Sequence, residues 1–420
     1  MMTPQSRFAD LGFWQIPVIA GLIIVSFYPI EPVETKMQII GMMVVAVVLL
    51  FLRHIADALN YQRFLILAGF VLAVVSYIGL EAFLRGSVNE YAANKLLYTI
   101  YILGLFGAIV PWIVYRAGGA KDIVPILLIV SIFFGTVSFF PTVESSNLRY
   151  SVIGLSPTMM SKLTLISSLL LAVYRSPNRW STLFPVILFI FGVLATLNTG
   201  SRGSLIALAL AYGAYSVLRG RGRDLVKYVA VLVVFAGLVY TALQFAPRDI
   251  RDRFTLEAVS LEENSDEGDR IELWQTAADG ISDSFLGRGL GSFSLASPVA
   301  APHNVVLEAL YEIGYPAGAV FLFFLFFPLT KLRGLIRRDD WRVDFLVMAY
   351  LYNLVQTLYG GEMSLSNLLL YLTTGMVWLT KTQTALTANS GAAIFRNTAP
   401  PAMIPATSNG GGRFPPLASK

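Results

Sequence analysis

Residues 183–218 read LFPVILFIFGVLATLNTGSRGSLIALALAYGAYSVL, two long apolar runs separated by a short polar turn. That turn carries Arg202. An arginine costs about 2.5–3.5 kcal/mol at the centre of a membrane helix. We therefore expect Arg202 to lie at a membrane face or in a polar cavity, next to an anionic partner.

The composition of the whole chain indicates its fold class. Of the 420 residues, 55% are hydrophobic and 14% are charged, whereas an ordinary soluble domain is about 25% charged. The sequence predicts an all-α, polytopic membrane helix bundle of about twelve transmembrane helices. The apolar runs that predict them are 13–30, 37–52, 64–84, 95–115, 122–140, 157–174, 180–197, 204–218, 225–245, 304–330, 343–360 and 365–380.

Basic residues fall on alternate connections between these runs, most densely within 219–227 and 331–342. By the positive-inside rule, such connections face the cytoplasm. We therefore expect both termini to be cytoplasmic, and Arg202 and the long loop of about 246–303 to be outside. Residues 1–384 form the predicted transmembrane domain. The segment 385–420 is rich in Ala, Pro, Gly and Ser, and we predict a disordered cytoplasmic tail.

The long loop is predicted to carry a short amphipathic helix over 270–281. Asp269 is the candidate N-cap, and Glu272 follows three residues later. Helical spacing predicts one apolar face, at the membrane surface with its tryptophan among the headgroups, made of Ile271, Trp274, Ala278 and Ile281.

Residues 287–293 read GRGLGSF, which superficially resembles a phosphate-binding glycine loop. A dinucleotide site needs a strand before the loop and a helix after it, and a membrane helix bundle supplies no such strand. We therefore interpret the glycines as a tight turn against the bundle.

The loop ends at His303, directly before an apolar helix. Asn304, Glu308 and Glu312 follow at spacing i, i+4 and i+8, which predicts one polar stripe on the outer end of that helix.

Three segments together resemble the O-antigen ligase and polymerase superfamily of bacterial inner-membrane glycosyltransferases. They are Thr199–Gly203 (TGSRG), Arg270–Trp274 (RIELW) with the glycine segment that follows, and His303–Gly314 (HNVVLEALYEIG). Their order and spacing carry the resemblance, which spans about residues 180–330.

The resemblance implies transfer of a glycan from an undecaprenyl-diphosphate carrier to an acceptor on the periplasmic side of the inner membrane. The His303-Asn304 pair followed by the two glutamates favours the ligase-like branch, with the lipid A core as acceptor. A repeat-unit polymerase is the alternative. A lipid-linked glycan flippase or transporter is a second alternative, because about twelve spans fit that class too.

The residue types suggest roles in such a reaction. Guanidinium groups bind phosphate oxygens in a bidentate manner, so we predict that Arg202 and Arg270 grip the diphosphate. Imidazole accepts protons near neutral pH, so we predict that His303 is the base, with inversion at the sugar and with Asp269 and Glu272 as rival bases. The predicted supporting residues are Ser201, Glu272, Asn304, Glu308 and Glu312. The residue patterns imply no metal, no cofactor and no nucleic-acid partner, whereas membrane lipids are expected partners.

Overall fold

The computed structural model describes residues 15–27, 33–52, 59, 61–85, 90–140, 143–144, 150–151, 156–175, 180–220, 222–245, 251, 266–297, 299–336 and 340–380. Its helices in the first half are α1 Gln15–Phe27, α2 Val33–Leu50, α3 Gln62–Arg85, α4 Glu90–Ile102, a π-helical segment Leu103–Ile109, α5 Val110–Ala117, α6 Ala120–Val137, α7 Pro157–Thr164, a 3-10 segment Leu165–Leu169 and α8 Leu170–Val173. Those in the second half are a 3-10 turn Trp180–Thr182, α9 Leu183–Asn198, α10 Arg202–Arg219, α11 Gly222–Phe245, α12 Asp266–Ser282, α13 Phe293–Ala296, α14 Val305–Phe326, α15 Leu329–Ile336, α16 Trp341–Gly360, a 3-10 turn Leu365–Asn367 and α17 Leu368–Leu379.

The described residues are helical, as predicted, apart from turns and one antiparallel pair of two-residue strands, β1 Val143–Glu144 and β2 Tyr150–Ser151. By length and composition, five described stretches can cross a membrane: Gln62–Glu81, Tyr91–Ala117, Ala120–Val137, Tyr228–Phe245 and Val305–Ile336. Four shorter apolar helices accompany them: Gln15–Phe27, Pro157–Val173, Leu183–Asn198 and Leu368–Leu379. The total of about twelve crossings stays a prediction.

Helix α16 lies at the centre of the bundle, packed against α10 and α17. At its first turn, the buried carboxylate of Asp344 accepts a hydrogen bond from Tyr215 (2.7 Å) and lies 3.5 Å from Arg175 and 3.8 Å from Arg219. The segment after α8, which carries Arg175, therefore meets the end of α10 and the start of α16, next to the two basic connections predicted to face the cytoplasm. Gly360 marks the opposite end of α16.

Helix α12 is longer than predicted, and one stripe of it is buried against the protein. It begins at Asp266, so Asp269 lies within the helix and is not its N-cap. Leu273, Ala277 and Ile281 form its buried stripe, which packs on Phe293 and Tyr311.

The predicted apolar face of α12 is wrong for Ile281, which is buried inside the protein, and its position at the membrane surface stays a prediction for the other members. Ile271 and Ala278 are exposed, and the indole N–H of Trp274 donates to the carbonyl oxygen of Pro302 at 3.0 Å. Among the four residues, Ile281 alone joins the buried stripe, because the helix packs on α14 through positions 273, 277 and 281.

Some predictions concern residues outside the described ranges. These are the cytoplasmic N-terminus, the side chain of Asp269 and the tail 385–420.

Candidate active site

A cavity of about 350 Å³ opens at the end of the bundle marked by Gly360. Four segments that are distant in sequence line it: the start of α7, the first part of α12, the loop before α14 and the loop after α16. The polar side chains that reach it are Ser156, Thr158, Lys162, Arg270, His303, Glu362 and Ser366. The cavity thus combines cationic, imidazole and carboxylate groups.

Arg270 and His303, two of the three residues predicted to converge, line this cavity together. Arg270 is half-buried, and its guanidinium carbon lies 4.7 Å from the centre of the Tyr359 ring. A cation stacked on an aromatic face keeps its hydrogen-bond donors available at the edge of the guanidinium plane. Among the described residues, no carboxylate lies within 4.0 Å of Arg270.

His303 occupies a constrained backbone position on the cavity wall. Its φ is 53°, which is uncommon for a residue other than glycine. The residues on either side are anchored: Pro302 accepts the indole hydrogen bond of Trp274, and Asn304 caps α14 by accepting from the N–H groups of Val306 (3.0 Å) and Leu307 (3.3 Å). The two anchors fix the direction from which the imidazole enters the cavity.

Arg202 is the third predicted residue, and it does not line the cavity. It begins α10 and is half-buried. A Cβ atom added to its neighbour Gly203 would lie 3.0 Å from the ring of Tyr359, the same ring on which Arg270 stacks. One aromatic side chain therefore separates the start of α10 from the Arg270 guanidinium.

Ser201 and Glu272 also lie outside the cavity lining. Ser201 is buried, and its hydroxyl lies 3.4 Å from that of Ser204, which in turn lies 2.6 Å from the hydroxyl of Ser161 on α7. Ser201 thus links the start of α10 to α7. Glu272 is exposed on α12.

Glu308 and Glu312 have a different environment from the outer polar stripe that was expected. Both are fully buried, and the ammonium of Lys95 lies 2.6 Å from Glu308 and 2.7 Å from Glu312. Neither lines the cavity. Glu308 contributes to it indirectly, because it also accepts from the backbone N–H of Met363, next to Glu362, at 2.8 Å.

The glycine segment forms a tight turn, as predicted. Gly287, Gly289 and Gly291 have φ values of 83°, 104° and 77°. The turn docks backbone to backbone on a break in α14 at Gly314, where φ is 71° and ψ is −177°.

The hydrogen bonds of this turn also argue against a phosphate loop. The N–H of Arg288 donates to Tyr311 (2.8 Å), and that of Gly289 donates to Glu312 (2.9 Å). These two donors are therefore occupied by the carbonyl groups that the break in α14 exposes.

Two cavity residues, Lys162 and Glu362, were not predicted as site residues. Lys162 projects from α7 and donates to the carbonyl oxygen of Gly360 at 3.0 Å. Glu362 follows α16 and accepts from the hydroxyl of Ser364 at 2.6 Å. The available signal was a charged residue at the end of an apolar run, and both residues have it.

Residues 186–322 match a family model, Wzy_C, described as O-antigen ligase. The match supports the O-antigen ligase superfamily, as the motifs predicted. The matched residues include Arg202, Arg270 and His303 but neither Lys162 nor Glu362. No curated protein matches the chain. The family and the apolar helices together indicate a membrane protein and an enzyme of the glycosyltransferase type.

Proposed function

We propose that this O-antigen ligase-like protein transfers a glycan from an undecaprenyl-diphosphate carrier to an acceptor hydroxyl at the periplasmic face of the inner membrane. The observation that supports the proposal is the cavity shared by Arg270 and His303. A guanidinium suits the diphosphate of the donor, and an imidazole suits the hydroxyl proton of the acceptor.

The reaction is a displacement at the anomeric carbon of the donor sugar. The acceptor oxygen forms a new bond to that carbon, and the bond from the carbon to the phosphate oxygen breaks. The bonding electron pair stays on the leaving undecaprenyl diphosphate, and His303 takes the acceptor proton. Because the acceptor attacks directly, the configuration of the anomeric carbon inverts.

The guanidinium of Arg270 would stabilise the charge that develops on the leaving diphosphate, which is the main electrostatic requirement of this step. Arg202 would bind the same diphosphate from the other side of Tyr359, with the positive end of the α10 dipole behind it. Asn304 and Glu308 would act as positioning residues, because they hold the backbone next to His303 and Glu362.

The lipid A core is the proposed acceptor, which makes the protein ligase-like. A direct test offers the purified protein an undecaprenyl-diphosphate-linked glycan in vesicles, with lipid A core as acceptor. Glycan captured by the core supports the ligase, and glycan chains growing on the carrier would instead identify a polymerase. Movement of the carrier across the vesicle without transfer would contradict an enzymatic role.

Variants connect this activity to the cavity. Arg270→Ala and Arg202→Ala are each expected to abolish transfer while the protein still folds in the membrane. Arg333→Ala is the control, because Arg333 is exposed and lies outside the cavity lining. Near-normal transfer by both Arg270→Ala and Arg202→Ala would refute the diphosphate role.

A further inference from the structure

Lys162 is a buried cation on the cavity wall that forms no ion pair within the described part of the chain. Its side chain is 6% exposed, yet it lines the cavity. An ammonium group has three hydrogen-bond donors. Among the described residues, one of these donors is used, by the carbonyl oxygen of Gly360 at 3.0 Å.

Within the described part of the chain, no carboxylate lies within 4.0 Å of the Lys162 ammonium. Buried charges are normally paired, because removing an ion from water is costly unless another charge or several hydrogen bonds replace the water. Lys95 shows the ordinary solution in this same protein, with two carboxylates at 2.6 and 2.7 Å. The environment of Lys162 is therefore suited to a cation that binds a negatively charged ligand.

The start of α7 and the guanidinium of Arg270 both favour an anion next to Lys162. The first turn of α7 opens onto the cavity through Ser156 and Thr158, and a helix start carries partial positive charge. Arg270 lies close enough for its charge to act on Lys162. The hydroxyl groups of Ser161 and Ser204, 2.6 Å apart, join this part of α7 to α10.

We propose that Lys162 is a direct ligand of the donor diphosphate and binds one phosphate group while Arg270 binds the other. The proposal rests on the proposed function. Each phosphate of a carrier-linked sugar carries a negative charge, and the leaving diphosphate gains one more as the sugar departs. Arg270 and Arg202 supply two positive charges, and Lys162 adds a third cation in surroundings of low dielectric, where it acts more strongly than in water.

Glu362 faces the same cavity and opposes the anion. Its charge also acts on Lys162, without an ion pair at contact distance. The carboxylate thus offsets part of the positive charge while the cavity holds no anion. Replacing it with a neutral amide is expected to tighten the binding of a diphosphate.

The test is the binding of inorganic pyrophosphate and of undecaprenyl diphosphate to the full-length protein in detergent, measured by calorimetry. We expect Lys162→Met to weaken both at least about tenfold, because the variant loses a charged hydrogen-bond donor to the phosphate. Lys331→Met is the matched control. Lys331 also donates to a backbone carbonyl, that of Trp378 at 3.3 Å, but lies outside the cavity lining. Its variant should bind as the wild type does.

A second variant tests the inference if Lys162→Met does not fold. Glu362→Gln is expected to tighten pyrophosphate binding a few-fold, the opposite direction. Phosphatidylglycerol serves as the comparison ligand, because it carries the phosphate of an ordinary lipid headgroup. Its binding should not depend on Lys162. Unchanged pyrophosphate affinity in a folded Lys162→Met, weaker binding in Glu362→Gln, or an equal loss for phosphatidylglycerol would each overturn the inference.

The two proposals fail in different ways. If the wild type transfers glycan and Lys162→Met has the same donor affinity and rate, the diphosphate role of Lys162 is wrong and glycan transfer stands. If pyrophosphate binding depends on Lys162 but no carrier-linked glycan is ever transferred, the anion site stands and the proposed function is wrong.

Discussion

The backbone N–H of Met363 donates to a carboxylate oxygen of Glu308 at 2.8 Å, which joins the loop after α16 to the first turn of α14. Both residues are fully buried. Because Glu362 precedes Met363 and His303 lies just before α14, this one hydrogen bond connects two walls of the cavity. The ammonium of Lys95 lies 2.6 Å from Glu308 and compensates the buried negative charge of that carboxylate.

Lys95→Met is expected to destabilise the protein severely. It leaves Glu308 and Glu312 buried together without a cation, and breaking a buried ion pair in this way costs about 3–5 kcal/mol. The measurement is the melting temperature in detergent, with Lys331→Met as the control. Adding Glu308→Gln and Glu312→Gln to Lys95→Met should restore part of the loss. A Lys95→Met protein as stable as the wild type would contradict a stabilising role for the ion pairs of Lys95 with Glu308 and Glu312.

His303→Asn is expected to separate folding from catalysis. Asparagine tolerates a positive φ better than most residues, so stability should be retained, but its amide cannot take a proton. Initial transfer rates should fall by about 10²–10⁴, the usual contribution of a general base. His303→Ala tests the backbone constraint and should also lose stability. Full turnover by His303→Asn would assign the base to a carboxylate, with Glu362 and Glu272 as candidates.

Tyr359→Leu is expected to weaken the use of the donor by removing the ring under Arg270. A cation–π contact contributes about 0.5–2 kcal/mol, so transfer at low donor concentration should fall about 2- to 30-fold. Tyr359→Phe keeps a ring at the same place and serves as the matched comparison. Equal losses in both variants would mean that the tyrosine hydroxyl, not the ring, matters.

Gly314→Ala is expected to destabilise the junction between the glycine turn and α14. Its φ is 71°, and an added Cβ would overlap the carbonyl carbon of Leu286. We expect a cost above about 1 kcal/mol, since both the backbone and the space are unsuitable. The control is Gly79→Ala in α3, where no atom lies within 4 Å of the added Cβ and helix propensity favours alanine. Equal melting temperatures for the two variants would count against the docking of the turn.

The sequence was most informative where a pattern is local. Long apolar runs predict helices because lipid requires each segment to satisfy its own backbone hydrogen bonds. The turn at 287–293 could be predicted for a similar reason, since its glycines restrict the possible backbone conformations. Arg270 and His303 were singled out by the motifs around them, and the structure brings them to one cavity.

Long-range contacts could not be predicted in this way. Lys95 meets Glu312 across 217 residues, so nothing near either residue reveals the pair. Lys162 and Glu362 were visible as charges at the ends of apolar runs, but their shared cavity depends on how the bundle closes. The buried stripe of α12 could not be predicted, because Ile271 and Leu273 are both apolar and only packing on α14 buries Leu273.

The cavity is lined partly by residues that lie before and after the segment matched by the family model. Lys162 is translated before residues 186–322, and Glu362 is translated after them. A chain that stops at residue 322 would have Arg270 and His303, yet it would lack the end of α16 and the loop after it, which line the cavity with them. The protein therefore cannot be trimmed to the matched segment, and ribosomes must translate past the penultimate helix before the cavity can be complete.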